Sequence, residues 1–171
     1  MKAIDAIRWA LEMTSLGTAE LVEDMRHAPL TQPIVREGRG AGNHPLWIMG
    51  HLAYIEGSIP GILLGEEVAP NPVAHWRVLF APGTEPKADA GAYPAFDEVV
   101  TTFHELRAGN LCLLDEIGEE GLDRVPKSIP PGFEEAMATT GRALLLIALH
   151  QMVHYGQIAD ARRAAGRKPL M

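Results

Sequence analysis

The stretch ALLLIALHQMVHYGQ, residues 143–157, runs from the most apolar segment of the chain straight into two histidines four residues apart. Leu146, Ile147, His150, His154, Gln157, Ile158 and Ala161 recur at three- and four-residue steps, which is the period of one helix face. His150 and His154 therefore lie on that face, about 6 Å apart at Cβ, and point toward the core or its mouth. Burying two imidazoles without partners costs a few kcal/mol. A metal ion removes that cost, because neutral histidine is the commonest metal ligand.

The rest of the chain repeats the helical period. Ile4, Ile7, Leu11, Thr14, Thr18, Leu21 and Met25 predict a first helix over residues 3–25, ended before Pro29. Residues 31–45, TQPIVREGRGAGNHP, read as loop. A second helix starts at Pro45, with Asn43 or His44 as its N-cap. It carries Trp47, Ile48, His51, Leu52, Ile55 and Ile59 on one broad face, and Pro60 is expected to kink or end it, with Ile62–Leu64 as a possible last turn. Residues 65–93 hold prolines and glycines and read as a long connection, with VAHWRVLF (73–80) as a short helical or extended patch. A third helix is predicted over 95–117, with a stripe of Phe96, Val99, Val100, Phe103, Leu106, Leu111, Leu113, Leu114 and Ile117. The fourth runs from Thr139 or Thr140 to Ala165, with threonine at its start and Gly166 as its stop. No segment alternates with the two-residue period of a strand for long. The expected fold is all-α, a four-helix bundle in one domain over residues 1–171. The long link between helices two and three permits a crossover and points to an up-down-down-up order.

Composition narrows the function. The 171 residues carry a net charge of −7, with no basic face interleaved with aromatics, so nucleic acid is not an expected partner. Arg162, Arg163, Arg167 and Lys168 read as favourable charge at a helix C-terminus. The single cysteine, Cys112, allows no disulfide within a monomer and fits a reducing, cytoplasmic location. In its apolar run it reads as a small core residue. The N-terminus is amphipathic and charged rather than a signal peptide. PLWIMGHLAYIEGSIPGILLG is interrupted by His51, Glu56 and Pro60, so no membrane span is expected.

His51 supplies a third imidazole. Packed helices lie about 8–10 Å apart, so a histidine on helix two can reach a pair on helix four. Three histidines leave coordination positions open for water or substrate, as catalytic sites do. Glu56 and Gln157 stand near enough to be partners for the outer ring nitrogens. His27, His44, His75 and His104 are assigned no role. Gln151 occupies the place where an HExxH protease needs its glutamate, so that chemistry is not expected. Paired Glu-x-x-His motifs of di-iron bundles are absent, and no serine stands in a nucleophile elbow.

His51 in a tryptophan-bearing second helix, followed by His150-x-x-x-His154-x-Gly156-Gln157 in the fourth, resembles the DinB-like superfamily. That family includes damage-inducible DinB-type bundles, thiol-dependent transferases and maleylpyruvate isomerases. The resemblance covers almost the whole chain. It implies an up-down-down-up bundle, often a homodimer, with a divalent metal, zinc or nickel, on His51, His150 and His154. It further implies a transferase joining a low-molecular-weight thiol to an electrophilic small molecule. A metal-dependent hydrolase fits the same ligand set, and a non-catalytic, stress-associated metal-binding bundle is the alternative of another class. Tyr155 departs from the arginine many members carry there, which puts in doubt any substrate contact made by that basic group.

Overall fold

The computed structural model describes residues 1–32 and 42–168. Those residues are helical, and no strand occurs among them. Most of the glycine-rich loop expected over 31–45 lies outside the described residues. The elements are α1 (Ala3–Met25), α2 (Pro45–Leu64), the short α3 (Arg77–Phe80), α4 (Phe96–Gly121) and α5 (Thr140–Ala164). Two single 3-10 turns, Ala74–Trp76 and Ala90–Ala92, punctuate the connection from α2 to α4.

Local chemistry sets the helix ends. The first amides of α1 have no partner within the helix; Glu119 of α4 accepts from Ala3 and Ile4 at 3.0 and 2.9 Å. His44 caps α2, its Nδ1 accepting from the Trp47 amide at 3.1 Å, and Pro45 follows at the first helical position. Thr139 Oγ1 accepts from the Arg142 amide at the start of α5. Gly166, with φ 77°, closes that helix in the left-handed conformation.

Two helices show what tertiary contacts decide. Pro60 lies inside α2, which runs on to Leu64. Proline donates no amide to the carbonyl four residues earlier. That carbonyl belongs to Glu56, and Asn110 of α4 satisfies it at 3.1 Å, so the helix continues. The apolar stripe proposed for the third helix is also only partly inside. Phe103, Arg107, Asn110 and Leu114 are buried on α4, while Leu106, Leu111 and Leu113 are partly covered. Cys112 is exposed, not a core residue: it points away from that buried line. The helix also extends past Ile117, through a break at Gly118 (φ 63°, ψ 175°).

Contacts fix how neighbouring helices run. α1 meets α4 in reverse order: Arg26 pairs with Asp97 and Arg8 with Asp115. It meets α5 in the same order, with Ile7 beside Gly141, Tyr155 beside Gly17 and Asp24 bonded to Arg162 and Arg167. Arg162 and Arg167 thus tie the C-terminal turn to α1. The buried apolar residues form two clusters. One gathers Leu21, Met25, Ile48, Leu52, Phe80, Phe103 and Ile158; the other Ile7, Leu11, Ile59, Leu63, Leu114 and Leu144. On every long helix the residues between them are polar. Arg107 donates to both carboxylate oxygens of Glu56 (3.0 and 2.6 Å), to Gln151 (2.7 Å) and to the Leu11 carbonyl (2.6 Å). Gln151 in turn donates to the Thr14 carbonyl and Thr18 Oγ1. One charged layer therefore joins all four long helices at the height of the histidines.

Candidate metal centre

His51 of α2 and His150 and His154 of α5 meet in space. The Nε2 of His150 lies 3.2 Å from that of His51 and 3.1 Å from that of His154. One ligand atom from each ring falls within 4.8 Å of the others, a group that could hold a metal ion. Among the described residues no other cluster of three histidines, cysteines or carboxylates does so. Two nitrogens bound to one tetrahedral zinc at about 2.0–2.1 Å stand roughly 3.3 Å apart. The observed separations fit that donor set.

The rings are held from behind. His51 Nδ1 donates to the Phe80 carbonyl at 2.7 Å, the end of α3 in the crossover. His154 Nδ1 donates to Gln157 Oε1 at 3.0 Å, one turn along α5. With Nδ1 protonated, each Nε2 presents its lone pair inward, the tautomer a metal requires. His150 Nδ1 is buried and has no hydrogen-bond partner among the described residues. Trp47 lies flat on His51, ring centroids 4.8 Å apart and planes within 8°. Its Nε1–H is fixed by Thr84 Oγ1 at 3.1 Å.

The electrostatics suit ligation. Burial drives the pKa of both His51 and His150 down to about 4, the neighbouring histidines adding to the effect. Burial also lowers His154, with the Gln157 bond opposing. Neutral imidazoles facing one another are stable here at neutral pH, and three positive charges are not.

The sequence-predicted residues fall into place unevenly. Gln157 is the partner of His154. Glu56 is not a partner of His51: it is bound to Arg107 and Asn110, and a backbone carbonyl takes the expected role. Tyr155 packs against Gly17 of α1, beside rather than within the histidine cluster. The Phe80 carbonyl and the Arg107 layer had no sequence motif. The trace available was one arginine and one asparagine at helical spacing with Phe103 and Leu114.

The sequence profile of the DinB superfamily matches residues 10–158, nearly the whole span of the bundle, and the chain belongs to that superfamily. No curated protein and no solved structure gives a significant match. No helix among the described residues is long and apolar enough to cross a membrane.

Proposed function

We propose that this chain is a divalent-metal enzyme, a transferase that joins a low-molecular-weight thiol to an electrophilic small molecule. The approach of the His51 and His154 Nε2 atoms to that of His150, at 3.2 and 3.1 Å, carries the reading. His51, His150 and His154 would hold the metal, with zinc and nickel among the ions that suit imidazole donors. Held by those three residues, a divalent cation would supply the charge that lowers a thiol's pKa, so that a nucleophilic thiolate would persist at neutral pH. In such a transfer the sulfur would bond to the electrophilic carbon as the leaving group departs with its electron pair, the thiol proton going to solvent.

The chain's own part is positional. The Phe80 carbonyl and Gln157 fix the tautomers of two rings, and Trp47 fixes the plane of one. Burial keeps all three rings neutral. Neither His51 nor His154 serves as a general base while its Nδ1 proton is engaged and its Nε2 faces inward. Three protein donors leave further coordination positions for thiol or water. The order of contacts along α1, α4 and α5 supports an up-down-down-up bundle whose α2–α4 link is the long crossover. The lone cysteine, incapable of pairing within the chain, supports a reducing, cytoplasmic setting.

The test uses tag-free protein. Elemental analysis should find near one equivalent of metal, reduced to background in His154→Ala and His51→Ala. Metal-loaded protein should conjugate one of several thiols to a chlorinated aromatic, and the variants should not. Full metal content and activity in His154→Ala would overturn the ligand assignment. Metal without thiol-dependent conjugation would point to hydrolysis or to a binding role.

A further inference from the structure

After α2 the chain turns back and runs down that helix antiparallel to it. Glu66 and the Ala69 carbonyl lie over Gly61, Asn71 and Val73 over Gly57, and the Phe80 ring over Gly50. Beside this seam, α2, the returning chain and residues 128–131 of the α4–α5 loop enclose a groove of about 620 Å³, a size typical of small-molecule sites. The loop is tied to α2 by the Ser128 amide, which donates to the Ile62 carbonyl at 3.0 Å. One end of the groove adjoins the candidate metal centre. Tyr54 and Ile55 in its wall stand three and four residues along α2 from His51, and Arg77 and Pro82 flank Phe80, whose carbonyl holds His51.

Two charged side chains line the groove, Arg77 and Glu66. Neither has an ion-pair or hydrogen-bond partner among the described residues. They stand at opposite ends. Glu66 is level with Gly61, whereas Arg77 falls between Val73 and Phe80, at the height of Tyr54. From Tyr54 to Gly61 the helix rises about 10 Å, and three residues of extended chain span about the same length. We propose that this groove seats the thiol of the transfer described above, on which this inference rests, and that the thiol is a zwitterionic peptide of two or three residues. Its carboxylate lies on the Arg77 guanidinium, a fork that matches carboxylate geometry, and its ammonium on Glu66. A free amino acid carries both charges on one carbon and is too short to reach both ends. A ligand of a single sign leaves one wall charge facing it unmatched. Between the charges the wall offers the apolar Ile55, Ile62 and Ile129 to side chains, and the hydroxyls of Tyr54 and Ser128 to peptide groups. The carboxyl-terminal residue lies nearest His51, so that residue carries the sulfur.

An NMR titration of the full chain as purified reads the groove apart from any reaction. The probe is Gly-Gly-Ser, in which a hydroxyl replaces the thiol. It should bind about three- to fivefold more tightly than its N-acetyl form or its C-terminal amide, each of which lacks one charge; that is the size of effect an exposed ion pair supplies. In Glu66→Gln the N-acetyl form should bind as well as the free peptide. In Arg77→Gln the amide should bind as well as the acid. Damage to the fold would weaken all three ligands together, whereas a charge contact pairs each ligand group with one variant. No saturable binding, equal Kd values for free and blocked peptides, or a blocking penalty that survives both substitutions would each overturn the proposal. With metal-loaded protein, Gly-Gly-Cys should be conjugated to the chlorinated aromatic, and Arg77→Gln should raise its KM while keeping kcat. Charge-dependent binding of Gly-Gly-Ser without any conjugation would support the peptide groove and sink the transferase reading. Conjugation of thiols regardless of their charges would do the reverse.

Discussion

Arg107 shows how much one side chain in the interior can hold. Its guanidinium is bonded to Glu56, Gln151 and the Leu11 carbonyl, and all of these side chains are buried. Removing it leaves a buried carboxylate without its counter-charge. Arg107→Ala should therefore cost about 3–5 kcal/mol in urea unfolding, far above an ordinary surface change. Gly50 is a second sensitive position. A Cβ there would stand 2.2 Å from the Phe80 ring. Alanine normally stabilises a helix interior relative to glycine; here Gly50→Ala should instead destabilise by about 1–3 kcal/mol through overpacking. It should also weaken metal binding in a titration, because the Phe80 carbonyl holds His51. At this scale the three histidines were readable because imidazoles on apolar helix faces demand a partner. Arg107 was not, since one arginine in a helix looks the same whether it faces solvent or a carboxylate on a neighbouring helix. Cys112 went the other way: its neighbours are apolar, but its angle on α4 points it outward.

At the scale of elements, α2 carries two devices, one that lets it continue and one that starts it. The first is Pro60, whose missing amide is compensated by Asn110. Asn110→Ala leaves both the Glu56 carbonyl and one of its carboxylate oxygens short of a donor, at a cost of about 1–3 kcal/mol. Pro60→Ala restores an amide to that carbonyl. The double variant should accordingly lose less stability than the two single changes summed, a coupling measurable in a double-mutant cycle. The second is the His44 cap, whose Nδ1 must be unprotonated to accept from Trp47. Its Nε2–H meanwhile donates to the Lys87 carbonyl at 2.9 Å, and its ring packs on Tyr93. Burial holds its pKa below 6.5 in the folded chain. The unfolded chain therefore binds the proton first, and this stabilisation is complete above pH 6.5 and lost as pH falls below it. His44→Asn keeps a cap that does not titrate. It should be the less stable protein at pH 7.5, yet lose less of its urea midpoint between pH 7 and pH 5. Helix existence and starts were legible, because apolar period and capping residues are local. Continuation through Pro60 was legible only as one of two outcomes, because the donor that permits it comes from another helix.

For the whole molecule, the all-helical architecture follows from four long periodic segments and the absence of strand alternation. The partner of each helix does not follow, because any amphipathic face fits several neighbours. Here ion pairs at the ends and the Arg107 layer in the middle select the pairing. Metal occupancy should act on this scale too. An ion that binds only the folded chain raises stability by about 2.7 kcal/mol at a hundredfold excess over its Kd. Chelator should thus lower the thermal midpoint of metal-loaded protein and leave His154→Ala unchanged.

The flat contact between Trp47 and His51 makes the indole an optical witness of the site. Trp9 is solvent-exposed and Trp76 is buried against Phe80, so Trp9→Phe/Trp76→Phe leaves one emitter, lying 4.8 Å from a candidate ligand. Its fluorescence should dim when a paramagnetic nickel ion enters and change far less with closed-shell zinc. The colour and lifetime of one residue would then report which ion the histidines have taken up, without labels, in a stopped-flow instrument.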